Sequence, residues 1–149
     1  MFRAAALFLV AAGAMAQTLV ESPDATPGGR LGLEAAVQVA LDAAVDVSGP
    51  EALVLVGLGG IGSPALQYLA GAGIGKLTLV DDDRVDASNL QRQTLYNTRD
   101  IGHGKAVIAK RWVTGYDPAL DVTISDRRIT RENAPALLEG ADLVLDGTD

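Results

Sequence analysis

The sequence predicts an α/β fold: a doubly wound, mainly parallel sheet with helices on both faces. Three observations carry this. From Glu51 onward, apolar runs of strand length alternate with segments of helical period. The run Ala52–Val56 leads into four glycines within six residues, Gly57, Gly59, Gly60 and Gly62. The next apolar run ends on Asp81, nineteen residues after Gly62. Strands alternating with helices require crossover connections and a parallel sheet buried on both sides. Functional sites then lie at the carboxyl ends of the strands.

Met1–Ala16 has Arg3 near its start, a mostly apolar Ala4–Ala12, and Ala14-Met15-Ala16 before Gln17. It reads as a signal-like or anchor segment. A misassigned start or a free N-terminal helix explains it equally well. It is shorter than the about 20 apolar residues of a membrane span. Residues 17–50 make a linker and a helix. Glu21–Arg30 holds two prolines and two glycines, while Leu33, Val37, Ala40, Leu41 and Ala44 keep a helical period until Gly49-Pro50.

Residues 51–149 form the main domain. Its first strand is Ala52–Val56, followed by a helix over Ser63–Ala72 closed by Gly73 or Gly75. A second strand, Lys76–Val80, leads into a long polar connection, Asp81–Gly104. A helix over Lys105–Gly115 presents Val107, Ile108 and Trp112 as its apolar face. Then come a strand, Asp121–Ser125, a helix over Glu132–Leu138 capped by Thr130 and ended by Gly140, and a strand, Asp142–Leu145. That strand runs into Asp146-Gly-Thr-Asp149, where the sequence stops. Domains seldom end on the acidic tip of a core strand, so the sheet is expected to be truncated at its C-terminal end.

Gly57, Gly59 and Gly62 fit G-x-G-x-x-G. A tight turn needs φ > 0, and close approach of a phosphate needs backbone without Cβ. Ser63 is placed to cap the helix and Pro64 suits its first turn. Asp81 stands where a nucleotide-binding βαβ unit keeps its ribose carboxylate. The fold is therefore Rossmann-like. This much cannot choose between NAD and ATP.

Composition narrows the function. Apolar content is 48% and charge 21%, which argues for a packed core. Net charge is −7 and aromatics are 4%, which argues against a nucleic-acid partner. Without cysteine, and with His103 as the single histidine, the chain holds no zinc ligand set and no cysteine nucleophile.

The long connection is more specific. It carries Asp81-x-Asp83, Ser88-Asn-Leu-x-Arg-Gln93 and Gly102-x-x-Lys105, between Gly57-Leu-Gly-Gly-Ile-Gly62 and Asp146-Gly-Thr-Asp149. With these five motifs in order, residues 52–149 resemble the E1-like adenylyltransferases. These include the activating enzymes of thiamin and molybdopterin biosynthesis and the adenylation domains of ubiquitin-type E1 enzymes. The resemblance implies transfer of AMP from MgATP to the C-terminal glycine of a ubiquitin-like sulfur-carrier protein, with release of pyrophosphate. It implies that Gly59 and Gly60 admit the α-phosphate. Asp81 takes the ribose, and Asn89, Arg92, Gln93 and Lys105 serve the phosphates. Asp149 attends Mg²⁺, and Arg92, Lys105 and Asp149 are the catalytic set. It also implies a homodimer for the full-length form and a cytoplasmic location, with membrane anchoring or export as the alternatives raised by Met1–Ala16. Asp82, Asp83 and Asp86 read as solvated charges, Asp83 also fitting the family motif without a catalytic step, and His103 as a surface loop residue.

Three departures matter. The family's arginine-containing segment before the glycine loop lacks its final arginine here, leaving Arg30 nearby. The acceptor groove and dimer surface, and the zinc-binding Cys-x-x-Cys pairs, belong to sequence beyond Asp149. A fragment of this kind is expected to be inactive alone. Two other functions stand beside adenylation: an NAD-binding oxidoreductase domain, and a non-catalytic E1-like binding partner.

Overall fold

The computed structural model describes residues 8–11 and 52–148. The linker, the Leu31–Val47 helix, Arg30, Asp149 and most of Met1–Ala16 lie outside the described residues.

The sheet has five strands: β1 (Phe8–Ala11), β2 (Ala52–Val56), β3 (Lys76–Val80), β4 (Asp121–Ser125) and β5 (Leu143–Asp146). Their order across the sheet is β1-β5-β2-β3-β4. Four strands run parallel, with Leu53 opposite Leu77 and Leu143, and Leu77 opposite Val122. β1 alone is antiparallel, pairing Phe8 with Asp146 and Ala11 with Leu143. Within the apolar stretch of Met1–Ala16, Phe8–Ala11 supplies the strand beside β5. A short apolar run has no periodicity that separates strand from helix, and pairing decides.

Helix α1 (Gly62–Ala70) joins β2 to β3, α2 (Lys105–Tyr116) precedes β4, and the short α3 (Ala134–Leu137) precedes β5. Side chains alternate along β2. Leu53 and Leu55 enter the larger core with Leu66 and Leu69 of α1 and Ile108 and Val113 of α2. Val54 and Val56 enter a smaller core with Val80 and Ala141, against which Leu137 of α3 packs. Both faces are buried, which is why these strands read as continuous apolar runs.

The helices differ from expectation, α1 by ending at Ala70 with Gly71 as its C-cap, short of Ala72 and of a close at Gly73 or Gly75. In α2 the buried residues are Lys105, Ala106, Ile108, Ala109 and Val113, while Val107 is 49% exposed. Val107 sits about 100° round the helix from Ile108, so both cannot face the sheet. The four residues of α3 replace a longer helix. Thr130 and Asn133 bond reciprocally in the turn before it, and Pro135 lies in its first turn.

Candidate functional site

The carboxyl ends of β2, β3, β4 and β5 surround a cavity of about 420 Å³. Gly57, Gly59 and Gly60 line it from the β2 end, Asp81–Asp83 from the β3 end, and Gly147 and Thr148 from the β5 end. The long connection closes it with Asn89, Arg92 and Gln93, and Lys105 enters at the start of α2.

The glycines divide into two pairs. Gly57 has φ +80°, and a Cβ there would meet the Thr148 amide nitrogen at 2.9 Å. A Cβ on Gly62 would lie 1.7 Å from the Gly57 carbonyl oxygen. Gly62 is not among the lining residues; its place is the close contact of helix with loop. Gly59 and Gly60 have room for a side chain: a Cβ on either would meet nothing nearer than Gln93 Nε2 or Arg92 Nε, each in ordinary contact at 3.8 Å. Ser63 does not cap α1. It lies inside the helix, donating from Oγ to the Gly59 carbonyl at 2.7 Å, and the N-cap position is Ile61, without a side-chain bond.

Asp81 braces this loop. Its Oδ2 accepts from the Leu58 amide at 2.6 Å and its Oδ1 from the Asp83 amide at 2.8 Å. The Leu58 carbonyl accepts from the buried Tyr96 hydroxyl at 2.9 Å. Burial, and then the negative charges of Asp81, Asp100 and Asp83, push the Tyr96 phenol well above its ordinary range. It therefore stays protonated as a donor.

The connection is built from two short turns. Asp86 caps the first, Ala87–Asn89, accepting from the Ser88 amide at 2.8 Å and the Ser88 hydroxyl at 2.6 Å. These bonds hold the Asp86 carboxyl below its ordinary value. The Asn89 carbonyl then accepts from the amides of Arg92 and Gln93, which carries both side chains over Gly60 and Gly59. Arg92 is exposed and makes no ion pair among the described residues. Gln93 is 2% exposed and its Oε1 has no hydrogen-bond partner among the described residues.

The second turn, Thr98–Asp100, has a reciprocal capping box between Asn97 and Asp100, and the buried Asp100 pairs with Arg111. Residues 102–104 then strap onto 83–85, through Val85 N–H to the His103 carbonyl at 2.9 Å and Gly102 N–H to the Val85 carbonyl at 2.8 Å. His103 is an exposed loop residue. The strap delivers Lys105 to the cavity, where its Nζ lies 2.8 Å from Asp83 Oδ2.

Asp146 orients the last loop, accepting from the amide and hydroxyl of Thr148. The Asp81, Asp82 and Asp83 carboxylates place an oxygen each within 4.8 Å of one another. Arg127, Arg128 and Ile129 also line the cavity, and sequence reasoning missed them. The available signal was position. They follow β4 as Asp81 follows β3, at the same edge of the sheet.

Among the described residues, no helix is long and apolar enough to cross a membrane. Residues 49–149 match the model of the ThiF family. Over 97 residues, 65% of the chain, the sequence is 48% identical to a probable molybdopterin-synthase adenylyltransferase of Porphyra purpurea. Over the same length it is 45% identical both to the sulfur carrier protein adenylyltransferase of Thermus thermophilus and to the sulfur carrier protein ThiS adenylyltransferase of Escherichia coli. These matches span 25%, 36% and 39% of those relatives, respectively. Among solved structures, E. coli tRNA N6-threonylcarbamoyladenosine dehydratase, TcdA, in complex with ATP superposes with TM-score 0.63 at 30% identity. It covers 78% of this chain and 45% of its own. E. coli MccB with ATP gives TM-score 0.58 at 28% identity, over 70% and 30%. With the family model covering about two-thirds of its length, this chain belongs to the ThiF family.

Proposed function

We propose that the chain carries the ATP-binding part of an adenylyltransferase that activates the C-terminal carboxylate of a ubiquitin-like sulfur-carrier protein. The observation that carries this reading is the convergence of Gly59, Gly60, Asp81, Asn89, Arg92 and Lys105 on one cavity at the strand ends. An NAD site needs the glycines and Asp81. It does not need an asparagine, an arginine and a lysine brought in by a long connection. The sulfur-carrier adenylyltransferases named above and the ATP-bound neighbours support the same choice.

In this reading a carboxylate oxygen of the acceptor attacks the α-phosphorus of ATP. The bond to the bridging oxygen breaks, that oxygen leaves with pyrophosphate, and an acyl-adenylate remains. A carboxylate is already deprotonated, so no general base is required. Catalysis then consists of positioning and of stabilising charge on phosphate oxygens. Gly59 and Gly60 leave room at the loop for the α-phosphate. Asp81 offers its carboxylate to the ribose hydroxyls while holding the loop through Leu58. Arg92 and Lys105 meet the phosphate charge, and the Gln93 amide nitrogen faces the loop as a donor.

Mg²⁺ takes carboxylate oxygens together with substrate phosphates, and supplies charge neutralisation when bound. The donor chemistry here fits. In this reading Asp149, which follows the lining residue Thr148 and matches the family's Mg²⁺-associated aspartate, would hold the ion, and the cavity carboxylates of Asp81, Asp82 and Asp83 offer further oxygen donors.

Separate calorimetric titrations with ATP–Mg²⁺ and with NADH test the assignment. ATP binding without NADH binding is the expected result, and the reverse overturns it. In a pyrophosphate-exchange assay with a ubiquitin-like acceptor, the 149-residue chain alone is expected to give little turnover. Binding of ubiquitin-like proteins without any ATP binding would favour the non-catalytic reading.

A further inference from the structure

Lys105 is an unusual place for a positive charge. It is the first residue of α2, where the helix dipole disfavours a cation, and Gly104 before it provides no side-chain cap. Its side chain is 5% exposed, so the ammonium has lost most of its water. A cation buried this far needs a partner. That partner is Asp83, whose own side chain is 68% exposed.

Asp83 meets Lys105 twice. Its carboxylate accepts from Nζ at 2.8 Å, and its carbonyl accepts from the Lys105 amide at 2.9 Å. Its own amide donates to Asp81 Oδ1 at 2.8 Å. One residue therefore ties the carboxylate assigned to the ribose to the lysine assigned to the phosphates. An ammonium carries three donors. Asp83 occupies one from the solvent side and leaves the others for the cavity that both residues line.

We propose that Asp83 is a positioning residue. It holds Lys105 aimed into the cavity, and it stays bonded to Lys105 when a polyphosphate arrives. The proposal rests on the reading of this cavity as an ATP site. Opposing it is simple charge: an exposed carboxylate near phosphates repels them. Here the hydrogen-bonded geometry outweighs that repulsion, because the charge-assisted contact is at bonding distance and the repulsion acts through water.

The test measures binding of ATP and inorganic pyrophosphate to the full chain by calorimetry, and of adenosine by ligand-observed NMR. The proteins are wild type, D83N, D83E, K105A and D83N/K105A, in Mg²⁺ and again in EDTA. D83N is expected to weaken ATP and pyrophosphate about tenfold, the loss of one charge-assisted contact, and to leave adenosine unchanged. D83E is expected to recover most of the loss. The double variant is expected to bind no more weakly than K105A. Unchanged or tighter ATP binding by D83N overturns the proposal, making Asp83 a competitor for Lys105. An effect confined to Mg²⁺, or persisting without Lys105, assigns Asp83 to the ion instead and also overturns it. Equal loss of all three ligands, adenosine included, reduces Asp83 to a structural role. Failure of wild type to bind ATP overturns the nucleotide reading and the proposal together. Wild-type binding with unaltered D83N overturns the proposal alone.

Discussion

A methyl group on Gly62 would sit 1.7 Å from the carbonyl oxygen of Gly57, so the start of α1 and the glycine loop touch through backbone. Gly59 and Gly60, between them, touch nothing that closely. Two different demands therefore run through one glycine motif. Gly62→Ala is expected to destabilise by about 3 kcal/mol or more, because the clash is with backbone and cannot be relieved by a rotamer. Gly59→Ala and Gly60→Ala are expected to change stability by about 0.5 kcal/mol or less, while ATP affinity falls about tenfold or more. Thermal melts and calorimetry on the same proteins check both halves.

Tyr96→Phe removes the hydroxyl that meets the Leu58 carbonyl inside the protein. The carbonyl is left without that donor, at a cost of about 1–3 kcal/mol. Since Leu58 is also held by Asp81, the loop is expected to loosen rather than unfold. A lower melting temperature, with faster amide exchange at Leu58, is the expected result.

Arg92→Ala is expected to lower ATP affinity about tenfold with a stability change of about 0.5 kcal/mol or less. Arg92 is exposed and has no carboxylate partner among the described residues, so no folded-state ion pair is lost. A fall in melting temperature as large as that of Tyr96→Phe would contradict this reading.

Arg127 and Arg128 stand at the β4 end of the same cavity. The double variant R127A/R128A is expected to weaken ATP binding by about tenfold and to leave the melting temperature unchanged. Equal ATP affinity in variant and wild type would remove both residues from the site.

Asp86 gives a pH signature. Its carboxyl is held below the ordinary 3.8, chiefly by the Ser88 hydroxyl and then by the Ser88 amide. A depressed folded-state value means that the cap's contribution is fully present above the ordinary value and is lost as pH falls through the lower one. The Asn89–Gln93 turn is therefore expected to keep its chemical shifts between about pH 5 and pH 8. Ser88→Ala is expected to move the Asp86 midpoint upward in a carboxyl NMR titration.

Much of this is legible in the sequence. β2, β3 and β4 fall on the residues expected: β2, buried on both faces, leaves an uninterrupted apolar run, and β4, at the end of the sheet order, alternates polar and apolar residues. Asp81 was legible because the βαβ unit spaces it from the glycines. The long connection was legible only as motifs. That its two turns bring Arg92 and Gln93 over the loop follows from hydrogen bonds at Asp86, Asn89 and Asp100, which no periodicity reports. The apolar face of α2 was misread at Val107, since two adjacent apolar residues leave the helix phase ambiguous by one position. Ser63 was misread as a cap because its hydroxyl, on the second residue of the helix, donates to a carbonyl where a cap would accept.

Local spacing and period were enough to give the parallel α/β architecture, the glycine loop and most of the polar residues that line the cavity. Tertiary structure alone decided which strand fills the edge beside β5 and which glycines are packed rather than open. It also decided that Arg127 and Arg128 join the site and that Asp83 is bonded twice to Lys105. Those outcomes depend on contacts between residues far apart in the chain, Asp83 and Lys105 being separated by 22 positions. Distance along the chain carries no information about which charge a buried ammonium will meet.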